Sequence, residues 1–161
     1  MADILARLYQ KLKLSKGLQL FLMRRTQDQF LIGVTGIFFN DKGEILLFKH
    51  SYRGNGKWSL PGGYIKGKEH PKEGIEREIK EESGLIVSAD ERLKIRTDRE
   101  SSRLDITYMG AFIGGSFKPS KEVTAAKFFA FDKLPVLPPD QLLFIDKAIV
   151  LRNNVSNSLN Q

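Results

Sequence analysis

Six acidic side chains crowd into residues 69–85 of a chain that is otherwise basic, with only three basic residues beside them. On a helix, Glu78, Glu81 and Glu82 stand three and four positions apart and project from one face. Like charges at this spacing destabilise a bare helix by a few tenths of a kcal/mol per pair. A hard divalent cation reverses that penalty, because carboxylate oxygens are the ligands that Mg²⁺ and Mn²⁺ prefer. Mg²⁺ is also commonly shared between protein carboxylates and substrate phosphates. Arg77 lies four residues before Glu81 and four after Glu73, so it can pair with either and fix a carboxylate's orientation. Gly62 and Gly63, ahead of this stretch, let the backbone turn tightly and come close to a ligand.

The elements that hold these groups can be read from local pattern. The spacing predicts a helix from Pro71 to Ser83, with Pro71 in its first turn, Gly84 just past its end and a narrow apolar stripe of Ile75 and Ile79. His70 falls at the N-cap. Upstream, "FLIGVTGIFF" reads as a buried strand, "NDKG" as a turn and "EILLFKH" as the return strand of a hairpin. A glycine loop, 51–57, and a short extended "WSLPGGYI" lead into the helix. Downstream, strands are expected at 93–97, 104–113 and 127–131, with Gly114–Gly115 as a turn between two of them. A proline-rich connection and a closing helix at 140–151 follow, then an Asn- and Ser-rich tail expected to fray. Gly74, inside the first of these helices, costs about 1 kcal/mol against alanine and has no evident role in the sequence.

The stretch from Gly63 to Leu85 resembles the Nudix box of the Nudix hydrolases. That pattern is Gly, five residues, Glu, seven residues, Arg-Glu, an aliphatic residue, any residue, Glu-Glu, any residue, Gly and an aliphatic residue. Gly63, Glu69, Arg77, Glu78, Ile79, Glu81, Glu82, Gly84 and Leu85 fill every position in register. A looser likeness, including the "WSLPGG" lead-in, extends over roughly residues 29–151.

The resemblance implies an α/β fold, a mixed β-sheet sandwiched between helices (α/β/α). It implies a metal-dependent pyrophosphohydrolase that cleaves a nucleoside diphosphate linked to another moiety, with Mg²⁺, or Mn²⁺, as cofactor. Carried over by position, Glu78, Glu81 and Glu82 would hold the metal, with a carbonyl of Gly62 or Gly63. Arg77 would orient a catalytic glutamate, and Glu69 would support the loop–helix geometry. The general base is Glu78 or a glutamate outside the box. Glu122 is the outside candidate, since "PSKEVTAAKFFAFDKLP" resembles a downstream family segment. Subfamily marks do not select a substrate. The proline that ADP-ribose-cleaving members often place downstream is replaced by Ser101, and the tyrosine of dinucleoside polyphosphate hydrolases is absent unless Tyr108 is a displaced equivalent. ADP-ribose or a nucleotide sugar ranks first. Nucleoside triphosphates and the 5′ end of RNA are alternatives, and a nucleotide-sensing module without activity is a reading of another class.

Substrate contacts are expected among Arg53, Lys57, Trp58 and Arg99, with Arg96 and Arg103 also in reach of a phosphate; Trp58 could stack a base or serve the core. Composition sets the frame: 161 residues, a net charge of +7 and no cysteine fit one soluble domain with neither disulfides nor a thiolate site. The expected organisation is a basic amphipathic extension at 1–28, a hydrolase domain at 29–151 and a flexible tail at 152–161. In the extension, Ile4, Leu5, Leu8 and Leu12 recur at helical spacing among basic residues. It does not read as a secretory signal, and "LQLFLM" is too short to span a bilayer, so a cytoplasmic location is expected. The extension could cover the domain, touch an anionic membrane or support a homodimer. No recognised nucleic-acid motif is present, and the positive charge around one acidic helix suits attraction of a polyphosphate substrate.

Overall fold

The computed structural model describes residues 15–51, 57–98 and 100–158, of which 155–158 are described by backbone alone. The chain divides into two units, Met1–Phe30 and Leu31–Gln161. Within the first, helix α1 (Lys16–Thr26) is capped by Ser15, whose hydroxyl accepts from the Leu18 N–H at 3.4 Å, and Arg24 and Arg25 sit in its last turn. Successive residues on a helix are about 100° apart, so the run from Leu20 to Met23 spreads around its circumference instead of forming a stripe. Ile4, Leu5, Leu8 and Leu12 lie outside the described residues. No helix among the described residues is long and apolar enough to cross a membrane.

The second unit holds one mixed sheet. Strands β1 (Leu31–Phe39), β2 (Ile45–His50), β3 (Trp58–Ser59), β4 (Gly62–Tyr64), β5 (Leu85–Asp98), β6 (Arg103–Gly115) and β7 (Val123–Phe129) run in the order β3-β2-β1-β6-β5, with β4 on β1 and β7 on β2. The pairing of β1 with β6 is parallel, from Leu31 opposite Arg103 to Phe39 opposite Ala111; the other pairs are antiparallel. The "NDKG" turn forms as its residues dictate. The Asn40 side-chain oxygen accepts from the N–H groups of Lys42 and Glu44, and Gly43 takes a φ of 76°.

Both sheet faces are covered, which is why β1 and the first four residues of β2 are predominantly apolar. Period-two alternation then sorts their side chains. Val34, Phe38, Leu46 and Phe48 pack with Ile75 and Ile79 of helix α2 (Pro71–Ser83). Ile37, Phe39, Ile45 and Leu47 pack with Ile145 and Ala148 of helix α3 (Pro139–Ser158). The α/β/α arrangement is therefore present, one helix to each face.

Several boundaries differ from expectation. β5 begins at Leu85, not at 93; three register shifts along it and its charged residues hide the alternation. Gly114–Gly115 is not a turn between strands but the end of β6, paired with Ile86 and Leu85. A Cβ at Gly115 would lie 2.5 Å from the Gly84 carbonyl, so its bare backbone lets the end of β6 close on the end of α2. β7 starts at Val123 because β2 supplies ladder partners for Val123, Ala125 and Ala126, although the two alanines have a weak strand pattern. Phe131 belongs to a short 3₁₀ turn, Phe131–Lys133. α3 continues to Ser158, so the backbone shows no break at 152 where a flexible tail was expected.

Candidate active site

The chain crosses the sheet at Leu60–Pro61. β3 pairs with β2, β4 pairs with β1, and these two residues carry the backbone from one to the other. The Gly36 N–H donates to the Pro61 carbonyl at 2.9 Å, which fixes the crossing. Gly62 and Gly63 are thereby laid along β1, opposite Thr35 and Val34. A Cβ at Gly62 would stand 2.5 Å from the Val34 carbonyl, and one at Gly63 2.5 Å from Glu78 Cγ. Glycine is needed at both positions for close approach, to backbone at the first and to a carboxylate at the second.

Helix α2 starts and stops on clear signals. His70 Nδ1 accepts from the Lys72 N–H, and the Glu73 carboxylate accepts from the His70 N–H, each at 3.2 Å, forming a reciprocal cap. Gly84, at a φ of 72°, closes the other end with its N–H on the Lys80 carbonyl. Ile75 and Ile79 are fully buried and fix the rotation of the helix. Not every acid on the helix serves the site. Glu73 caps, and Glu76 accepts from the Ala89 N–H of β5 at 2.8 Å, holding helix and sheet together.

Glu69, Glu78 and Glu81 converge on Arg77. Its Nε and Nη2 meet the two Glu69 oxygens at 2.6 and 2.9 Å, and Nη2 also donates to the Tyr64 carbonyl at 3.1 Å. Nη1 donates to Glu78 at 2.7 Å and to Glu81 at 2.9 Å. A planar guanidinium has this many donors in fixed directions; an ammonium does not. The hydrogen bonds from Arg77, and after them the one from the Lys66 N–H, hold the Glu69 carboxyl at about 2 instead of its ordinary 4.5. Glu81 is also pulled below the usual carboxylate range, by Arg77 first and then by Lys66, whose Nζ is 3.3 Å away. Glu69, and after it Glu78 and Glu81, push Arg77 well above its usual range. Gly74 now has a role: its missing side chain leaves the space occupied by Glu69, whose Oε2 would be 3.1 Å from a Cβ there.

Among the described residues, no three acidic or histidine side chains already enclose a point where an ion could sit. The Arg77 Nη1 group stands where Glu78 and Glu81 meet. The donor set nevertheless suits a hard divalent cation. It consists of carboxylate oxygens on one rigid helix face, two of them already directed at one cationic nitrogen, with the Gly62–Gly63 backbone against Glu78.

A cavity of about 350 Å³ opens beside this cluster. Gly62, Gly63, Tyr64, Arg103, Glu122 and Gln141 are among its lining residues. Glu122, expected from the sequence, is thus brought to the Gly62–Gly63 backbone. Its carbonyl accepts from the Ser51 N–H at 2.9 Å, and its own N–H donates to Ser120. Arg103 lines the cavity as well and pairs with Asp105 at 2.9 Å, and Arg96 pairs with Asp105 and Asp140 at 3.7 and 3.5 Å. Trp58 and Lys57 are not among the described lining residues. Trp58 packs edge-on against Phe129, with centroids 5.0 Å apart, against the cluster beneath α3, the packing of a core side chain. Lys57 is exposed at the start of β3. Arg53 and Arg99 lie outside the described residues. Gln141 was not anticipated: an amide eighty-one residues from Leu60, on the closing helix, carries no local signal.

Fold and site together define an α/β enzyme built around an acidic helix. The family model for the NUDIX domain matches residues 29–150. An ADP-ribose pyrophosphatase of Methanocaldococcus jannaschii is 31% identical over 113 residues, 68% of this chain and 67% of that protein. An 8-oxo-dGDP phosphatase of Homo sapiens is 32% identical over 93 residues, 57% of this chain but only 28% of the longer relative. Among solved structures, an ADP-ribose pyrophosphatase of Streptococcus suis superimposes with a TM-score of 0.61 at 29% identity, over 73% of this chain and 90% of that one. A UDP-X diphosphatase, 22% identical with a TM-score of 0.67, shares the fold over 94% of this chain and 81% of its own. The chain belongs to the Nudix family and is a Nudix-type pyrophosphohydrolase. Enzymes of this family generally use divalent metal ions.

Proposed function

We propose that the protein hydrolyses the diphosphate bond of a nucleoside diphosphate linked to another moiety, of the ADP-ribose or nucleotide-sugar kind, with Mg²⁺ as the working ion. The observation that carries this reading is the double position of Gly63. Its backbone lines the cavity while its α-carbon lies against Glu78. A ligand filling the cavity is one residue's thickness from the carboxylates, the separation a diphosphate can bridge. The relatives named for ADP-ribose and 8-oxo-dGDP support a nucleoside diphosphate as the common substrate element.

In this reading Glu78, Glu81 and Glu82 hold the ion, with a carbonyl from Gly62 or Gly63. A bound divalent ion neutralises charge on phosphate oxygens and makes a water easier to ionise. Arg77 keeps Glu78 and Glu81 in place through one nitrogen, and Glu69 keeps Arg77 in place through two bonds. Glu78 Oε1 is already engaged by that guanidinium. This favours Glu122, on the cavity wall, as the group that takes the proton of the attacking water.

The test is incubation with Mg²⁺ in ¹⁸O-water with ADP-ribose, nucleotide sugars, nucleoside triphosphates and 5′-triphosphate RNA, read by product mass spectrometry. ADP-ribose or a nucleotide sugar should give a nucleoside monophosphate and a sugar phosphate, with the label in one of the two. Turnover confined to triphosphates or RNA overturns the proposal.

A further inference from the structure

Helix α1 holds its apolar side chains outside any core. Leu18, Leu20, Phe21 and Met23 are between 44% and 56% exposed, and no residue of the helix is buried. A helix of eleven residues is marginal in water by itself, so α1 needs a surface that covers these groups. They form a girdle. At about 100° per residue, Leu18, Leu20, Phe21, Leu22 and Met23 point in different directions around the axis. Cations stand at both ends, Lys16 before the girdle and Arg24 and Arg25 after it. A protein groove takes a helix by one apolar face, whereas a fluid lipid layer covers every side. The long stems of lysine and arginine let their charges reach lipid phosphates while the girdle sits at the acyl boundary.

The helix ends suit that setting, because lipid offers no water to unpaired backbone groups. The Leu18 N–H donates to the Ser15 hydroxyl at 3.4 Å. At the other end the Thr26 hydroxyl donates to the Leu22 carbonyl at 3.1 Å, the Gln27 N–H to the Met23 carbonyl at 2.9 Å and the Gln29 side-chain amide to the Arg24 carbonyl at 2.7 Å. The helix is about 16 Å long, roughly half the hydrocarbon thickness of a bilayer, so it fits within one leaflet and does not cross.

Charge selects among the occupants. Residues 4–27 hold six basic side chains and no acidic one. A second copy brings the same cations and is repelled. Residues 31–161 hold 20 basic and 17 acidic side chains, so they carry no opposite net charge for the helix. Nucleic acid offers charge without an apolar phase. A bilayer rich in anionic lipid offers both.

We propose that α1 docks on the surface of an anionic bilayer, with the girdle at 18–23 among the acyl chains and Lys16, Arg24 and Arg25 at the phosphates. The full chain is sedimented with vesicles of phosphatidylcholine alone and of equal parts phosphatidylcholine and phosphatidylglycerol. Affinity for the mixed vesicles should exceed that for the neutral ones by about tenfold or more and fall with added salt. Leu20→Ser combined with Phe21→Ser keeps every charge and should weaken binding to the mixed vesicles about tenfold. Arg24→Gln combined with Arg25→Gln keeps the girdle and should weaken it about tenfold as well. Circular dichroism and Tm check that both chains remain folded. No sedimentation with the mixed vesicles, or undiminished binding after the two serine substitutions, overturns the proposal. Single-stranded RNA that displaces the protein from vesicles, with an affinity those substitutions leave unchanged, overturns it in favour of nucleic acid. A wild-type dimer in light scattering that the same substitutions dissociate, with vesicles unbound throughout, overturns it in favour of a second copy.

Discussion

Glu69 and Arg77 form a two-point ion pair, 2.6 and 2.9 Å long, that joins the loop before α2 to the helix carrying the other glutamates. The pair has a pH signature. As pH falls, the unfolded chain takes up the Glu69 proton near the ordinary 4.5, and the folded chain only near 2. The stabilisation is therefore complete above about 4.5 and is lost as pH falls to about 2. Thermal unfolding of wild type and Glu69→Gln across this range should show a Tm difference that shrinks toward acid. A difference independent of pH contradicts the ion-pair account.

Removing one carboxylate from the proposed ion site should abolish function without unfolding the chain. Groups that merely orient metal ligands typically contribute 10- to 100-fold, so Glu81→Gln and Glu82→Gln should each lose more than about 100-fold in Mg²⁺-dependent turnover. Circular dichroism should be unchanged, and calorimetry should show weaker Mg²⁺ or Mn²⁺ binding. Retained metal affinity in both variants would falsify the assignment.

Arg77→Lys keeps the charge and loses the fork. One ammonium cannot reproduce the bonds to Glu69, Tyr64, Glu78 and Glu81. Metal affinity, measured by calorimetry, should drop by about 10- to 100-fold.

The adjacent glycines should fail differently. A methyl group at Gly62 meets the Val34 carbonyl, a backbone atom that cannot step aside, and Gly62→Ala should destabilise by about 1–3 kcal/mol. A methyl group at Gly63 meets the Glu78 side chain, which can rotate away. Gly63→Ala should keep its Tm within a few degrees and lose activity. Urea unfolding and steady-state kinetics on the same preparations separate the two effects.

Trp58→Ala tests the core assignment. Loss of the packing on Phe129 should lower stability by about 2–3 kcal/mol, less than for a fully buried aromatic, while KM changes little. A raised KM at unchanged stability would return Trp58 to the binding site.

The carboxylate cluster was legible in the sequence because it lies on one continuous segment, where helical spacing alone decides which side chains share a face. "FLIGVTGIFF" was legible as a buried strand from its apolar run alone, whereas helices on both sheet faces were what the family resemblance implied. Gln141 was not legible, because its partner Leu60 is brought to it by the crossing between β3 and β4 and by the docking of α3. The early start of β5 was hidden by bulges that put charged residues out of phase. Trp58 was ambiguous because an aromatic beside a site looks the same in sequence whether it faces ligand or core. Gly74 was unexplained until Glu69, a residue from the preceding loop, was seen packed against it.

Because β1 and β6 pair in parallel, the chain between them must cross over, and the acidic helix lies in that crossover. The reactive carboxylates come from one short stretch between those strands. The cavity is assembled from β1, β4, β6, the segment before β7 and α3. The proposed ion site is thus one continuous segment, whereas the cavity and the proposed base, Glu122, come from segments far apart in the chain. Laboratory evolution toward a new substrate should accumulate changes around Arg103, Asp105 and Gln141 and leave 63–85 and Glu122 untouched.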